Sequence, residues 1–98
     1  MRKITEQSRE AFYSARPFKK ANMEIKVLPD VTIMLLHGNA IAYRYNDHKN
    51  TLKITNAGWQ SNTTKERLNS LYGVDIYQRN FQWFLNGQIW NGDLIEIK

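Results

Sequence analysis

The sequence predicts an α+β fold: an N-terminal helix, an antiparallel β-meander of four strands, a second capped helix near residues 63–72 and a short C-terminal β-hairpin. Three observations carry this expectation. Apolar residues recur at helical spacing over the first fifteen positions, then switch to a period of two from Asn22. Thr63 and Glu66 have the spacing of a capping box. Two-residue turn signals, Gly38-Asn39 and Asn86-Gly87, stand between apolar runs.

In the first segment Ile4, Ser8, Ala11, Phe12 and Ala15 fall on one helical face, with Glu6, Arg9, Glu10 and Tyr13 opposite. Pro17 ends this helix, because the residue before a proline is driven out of the α region. Met23, Ile25 and Val27 then alternate with Glu24 and Lys26, the pattern of a half-buried strand. Pro29-Asp30 turns the chain into the apolar run Val31 to His37, a central strand. Gly38-Asn39 returns it through Ala40 to Tyr45, with Ile41, Tyr43 and Tyr45 on one face. After the polar loop 46–50, Thr51 to Thr55 supplies a fourth strand with Leu52 and Ile54 inward and Lys53 outward.

The connection 56–62 is expected to bring Trp59 against the core. Thr63 caps the second helix, and Leu68, Leu71 and Tyr72 form its apolar side. Gly73 stops it, with Val74 making the contact beyond the cap. In the tail, residues 74–78 and 81–85 read as strands. Asn86-Gly87 and Asn91-Gly92 lie too close together to bound two long strands, so one makes a hairpin and the other a bulge or tight corner.

The 98 residues are expected to form one domain over 1–98. With 42% hydrophobic residues and twelve aromatics, the chain has the material for a core and is not expected to be disordered. No apolar run approaches the length that spans a bilayer. The charged N-terminus is followed by no apolar stretch, so it is not read as a signal peptide. The absence of cysteine removes disulfides, thiol catalysis and thiolate zinc sites, and fits a reducing cytoplasm. The formal charge of +5 favours acidic partners, nucleic acid among them. Most of it belongs to residues 1–20, where six basic and two acidic residues leave +4.

No catalytic constellation stands out. His37 sits at a strand end, read as a turn-flanking residue with a backbone hydrogen bond, and His48 lies in a polar loop. There is no metal-ligand spacing and no serine beside a base, so the expectation is a non-enzymatic protein with no catalytic residues, no metal and no cofactor. Basic residues interleaved with aromatics form the candidate binding set: Arg9, Tyr13, Arg16, Phe18, Lys19 and Lys20 near the end of the first helix. Lys65 and Arg67 of the second helix are read as pointing away from its Leu68/Leu71 side and adding to that surface. The competing reading is that these charges solubilise two exposed helix faces. Among the other aromatics most are core. The run Phe81-Gln82-Trp83-Phe84, however, puts rings on both faces of a strand, so that Phe84 or the Phe81/Trp83 pair would be left exposed as a protein interface.

Ala57-Gly58-Trp59, followed by Thr63-Thr64-Lys65-Glu66-Arg67-Leu68-Asn69, resembles small proteins of tailed bacteriophages that carry A-G-W, a short spacer and T-T-x-x-R-L-N. The similarity extends in outline to Ala11-Phe12, Pro17-Phe18, Asn22, residues 36–42 and residues 84–87. It implies a phage or prophage origin and expression in the cytoplasm of an infected bacterium. The implied role is that of an accessory protein that binds and modulates or inhibits a host protein or nucleoprotein, in host takeover or in anti-defence such as an anti-CRISPR-like activity. The resemblance carries no active site with it. Within the motif, Arg67 is expected to pair with Asp75 or Glu66 and Asn69 to bond the nearby loop backbone, the alternative being ligand contacts. The second functional reading is a module that binds DNA or RNA through the basic first helix. The edges of a short meander leave dimerisation open.

Overall fold

A computed structural model, describing residues 2–98, shows two helices and two antiparallel sheets around one apolar cluster. Helix α1 (Lys3–Ser14) buries Ser8, Ala11 and Phe12 of the predicted stripe together with Thr5, which that stripe does not include, and leaves Ile4 half-buried. Ala15 does not extend that stripe. It turns left-handed (φ 52°) and is exposed, and the Arg16 amide donates to Ala11 O at 2.9 Å, so the helix has closed before Pro17.

A strand that the sequence reading does not contain follows at once. Strand β1 (Phe18–Lys20) pairs with β2 (Met23–Val27) across the turn Ala21-Asn22, with Ala21 at φ 52°. The meander continues through β3 (Val31–Leu36), β4 (Asn39–Tyr45) and β5 (Leu52–Ile54). Its β3–β4 turn is His37-Gly38, both at positive φ, rather than Gly38-Asn39, because Leu36 pairs with Asn39. The register then slips by one residue between Met34 and Leu35, leaving Ile41 as a bulge. Ile41 and Ala42 are therefore both buried, while Tyr43 and Tyr45 pass to the opposite face. The expectation of Ile41, Tyr43 and Tyr45 on one face fails for that reason. The two tyrosine rings stack at 6.4 Å on the open face, with the Lys53 ammonium 5.4 Å from Tyr45.

The last strand, β9 (Ile95–Ile97), pairs with β5, Leu52 opposite Ile97, and completes a six-stranded sheet in the order β1-β2-β3-β4-β5-β9. Between β5 and β9 the chain makes helix α2 (Asn62–Asn69) and a second sheet of β6 (Ile76–Arg79), β7 (Gln82–Leu85) and β8 (Gln88–Ile89), where the sequence predicts only a hairpin. Asn86-Gly87 is the β7–β8 turn and Asn91-Gly92 the corner. A side chain at Gly92 would overlap the Asn56 carboxamide, and Gly92 O accepts from the Asn56 amide (3.0 Å) and the Thr55 hydroxyl (2.8 Å).

Helices and sheets share one core. Phe12, Met23, Ile25, Met34, Leu36 and Ile54 meet Leu68 of α2 and Ile76, Trp83, Leu85 and Trp90 of the second sheet and its exit. Trp59 stays outside it, 61% exposed. Side-chain amides hang the second sheet from α2. Asn69 donates to Ile76 O (2.9 Å) and accepts from the Ile76 amide (2.6 Å), as expected of it. Asn86 does the same between Gly73 O and the Asp75 amide, both at 2.9 Å.

Helix α2 begins earlier than its sequence signal. Ser61, not Thr63, is the cap: its hydroxyl accepts from the Thr64 amide at 3.1 Å and meets the Thr64 hydroxyl at 2.9 Å. The helix ends at Asn69, and a turn covers the remaining positions up to Gly73. Ser61→Ala should therefore lower stability by about 1 kcal/mol, and Thr63→Ala by less than about 0.5 kcal/mol, in denaturant unfolding. The reverse order would restore Thr63 as the cap.

Candidate functional site

The structure does not gather the predicted basic set into one surface. Arg9 and Tyr13 are half-buried on α1, and Arg16 is exposed after its end. Along β1 the side chains alternate, so Lys19 lies on the face opposite to Phe18 and Lys20. Lys20 turns to α1, where its ammonium donates to Gln7 at 3.4 Å. Tyr13 faces the body: its hydroxyl accepts from the Tyr72 amide (2.9 Å), its ring meets Tyr72 at 4.7 Å, and burial raises its pKa. Arg44, which the sequence reading leaves unassigned, lies over Phe12 and Tyr13. It donates to Phe12 O at 3.0 and 3.2 Å, a cation at the C-terminal end of α1. Lys65 of α2 turns to the second sheet, with its ammonium 5.6 Å from the Trp83 ring and donating to Gln78 at 3.2 Å.

Arg67 corrects the sequence reading outright. It does not point outward: only 2% of it is exposed. Its guanidinium donates to the Thr5 hydroxyl (2.9 Å), to the Glu66 carboxylate and to Asn22 Oδ1 (3.4 Å). Thr5 in turn donates to Glu66 at 2.9 Å. The pairing with Glu66 is one of the two partners expected of Arg67; Asp75 is not involved. Burial lowers the guanidinium pKa while Glu66 acts to raise it. Burial alone would raise the Glu66 carboxyl, but the Thr5 hydroxyl and the Arg67 and Arg2 cations outweigh it, and its pKa is lowered. The group binds α1, the β1–β2 turn and α2 together.

The exposed apolar surface lies elsewhere. Cross-strand partners share a face, so Tyr77, Phe84 and Ile89 form one row across β6, β7 and β8 on the side away from the core, with Arg79 and Gln82 beside it. The opposite face carries the buried Ile76, Trp83 and Leu85. The Tyr77 and Phe84 rings stack at 5.2 Å, 7° from parallel, and Ile89 is 70% exposed. Leu94 and Ile95, also exposed, line a shallow depression together with Ile89.

Phe81 stands at the tip of the β6–β7 hairpin. The expected Phe81/Trp83 pair splits, because Phe81 belongs to the β6–β7 turn rather than to a strand, while Trp83 is buried. Asn80 and Phe81 both take positive φ (52° and 66°), closing the two-residue turn between Arg79 and Gln82, and Phe81 is 94% exposed. The sequence reading marks the 81–84 aromatics but not Tyr77 or Ile89. The Asn86-Gly87 turn was the available signal, since a two-residue loop there puts Phe84 opposite Ile89.

A family model described as the Kyanoviridae Gp96 protein matches residues 1–96. The chain belongs to that family. It is accordingly a small phage protein, in agreement with the resemblance in its sequence. No curated protein and no solved structure matches this Gp96-family chain. Among the described residues no helix is long and apolar enough to cross a membrane, and no group of three or more His, Asp or Glu side chains is placed to hold a metal ion.

Two members of the predicted basic set should thus behave differently. Arg67→Ala empties a buried polar site and should destabilise the fold by roughly 3 kcal/mol. Arg16→Ala, on an exposed side chain, should change stability by less than about 0.5 kcal/mol. Thermal or denaturant unfolding of the two variants checks this, and equal effects would remove Arg67 from its structural role.

Proposed function

We propose that this phage protein is a non-enzymatic accessory protein that binds a protein of the infected host through the outer face of the β6–β7–β8 sheet. Phe81 is the anchor at the hairpin tip, with the row Tyr77, Phe84 and Ile89 and the neighbouring Arg79 on the strands below it. The observation that supports this is the placement of Phe81. A bulky side chain in the left-handed region is an outlier, costing about 1 kcal/mol where glycine would cost nothing. The next turn of the same sheet, Asn86-Gly87, uses the favourable pair. At Asn80-Phe81 the chain instead bears backbone strain in order to hold a phenyl ring in water. Burying such a ring contributes about 1.5–3 kcal/mol, a gain left for a partner.

The kind of partner follows from the charges. Among the described residues Arg79 is the one cation in the row formed with Tyr77, Phe84, Ile89 and Gln82, whose other side chains are aromatic, aliphatic or amide. Holding a polyanion takes several cations, whereas an aromatic centre with one arginine and a polar rim suits a protein partner. Acting in the bacterial cytoplasm, such a protein blocks or redirects its target, as host takeover or anti-defence requires, with no cofactor and no covalent step.

Capture from an extract of the host bacterium, run with and without nuclease, tests this reading. The immobilised protein should retain one host protein in stoichiometric amount after nuclease treatment. Ile89→Lys, which puts a charge into the apolar row on a tolerant edge strand, should abolish that retention. Retention of nucleic acid alone contradicts the proposal and restores the basic segment of Arg9, Arg16, Lys19 and Lys20. A host protein held equally by Ile89→Lys places the interface elsewhere.

A further inference from the structure

A cavity of about 280 Å³ opens between the β3–β4 turn and the start of α2, on residues that have no part in the docking face. Its floor is apolar, made by Leu36 and Ile41, and one wall is the Trp59 indole. His37, Asn56 and Thr63 stand around it.

The wall is held in place. The Ala57 amide donates to the Thr55 hydroxyl (3.1 Å), the Gly58 amide to Asn56 Oδ1 (2.8 Å) and the Trp59 amide to Asn56 O (2.9 Å). Asn56 is itself fixed by Gly92 O. A large aromatic side chain left exposed on a loop whose backbone is tied down at three successive amides is a preorganised stacking surface. The core does not use it: Trp83 and Trp90 pack against each other at 6.2 Å, and Trp59 has no ring partner among the described residues.

The lining limits what fits. Among the described residues no Lys, Arg, Asp or Glu lines the cavity, so it offers a charged group no ion pair with these side chains. Among the described residues, the His37 imidazole and the Thr63 hydroxyl have no side-chain hydrogen bond, which leaves a donor and an acceptor at the edge of an apolar slot. The volume is near the lower end for small-molecule sites, enough for one flat ring system with a modest substituent. We infer that this cavity binds an uncharged, planar heteroaromatic ligand of nucleoside size, its ring stacked on Trp59 over Leu36 and Ile41 and its polar edge toward Thr63 and His37.

Titration with adenosine, guanosine, cytidine and uridine tests the inference, read by tryptophan fluorescence and by the amide NMR shifts of residues 36–41 and 56–64. At least one nucleoside should give a saturable change with Kd of about 1 mM or tighter, with shifts confined to those two segments. Trp59→Ala, at an exposed position, should weaken binding at least about tenfold, and Trp59→Phe should keep most of it. Absence of saturation with all four nucleosides, shifts centred on other residues, or binding unchanged in Trp59→Ala would each overturn it.

Discussion

A buried guanidinium fixes how the two helices meet the sheet. Arg67 is withdrawn from water, and such a group is tolerable only where acceptors surround it. Its acceptors come from three segments far apart in the chain: Thr5 in α1, Asn22 in the β1–β2 turn and Glu66 in α2. Moving either helix would strand the charge, so the cluster sets their relative position more tightly than apolar contact alone can. The second sheet inherits that position. Asn69, two residues beyond Arg67, binds Ile76 at the start of β6, and Asn86 closes the other end of the same connection. The orientation of the outer aromatic face therefore traces back through α2 to one arginine.

What could be read from the sequence was what is local. The strand from Met23 to Val27 with Met23 and Ile25 inward, the buried Ser8, Ala11 and Phe12 of α1 and the amide role of Asn69 depend on neighbours within a turn or two. These stand in the structure, although Val27 at the strand end is exposed. The fourfold meander was legible for the same reason. The place of strand β9 was not, because Ile95 and Ile97 alternate with Glu96 and Lys98 as a strand should, but their partner, Leu52–Ile54, lies across forty intervening positions. Strand β1 was hidden because Phe18-Lys19-Lys20 offers one apolar residue, and pairing requires Ala21 to adopt a conformation that alanine rarely takes. The bulge at Ile41 reversed the faces of two tyrosines, an event that no alternation rule foresees.

The site was harder to read than the fold, and for a physical reason. Charge in a sequence reads as a surface signal, but Arg67 is among the most buried residues and Lys65 lies over a tryptophan. The aromatics at 81–84 were visible as a group, yet their division depended on where the turn fell. With Asn80-Phe81 as turn residues, Trp83 goes inward and Phe81 goes to the tip. Strain and exposure then coincide at a single residue, in a sheet whose other turn is relaxed. Strained backbone persists where something other than stability holds it, and in this phage protein it joins the two strands that carry the stacked Tyr77 and Phe84 rings.

Phe81→Gly separates the two explanations of that coincidence most directly, with unfolding and host-protein capture measured on the same preparation. Glycine relieves the left-handed turn, so the account predicts a variant that is as stable as the parent or more so, by up to about 1 kcal/mol, and that has lost its partner. A variant that is less stable than the parent yet captures the host protein undiminished would show Phe81 to be a structural residue, and would contradict the docking face built around it.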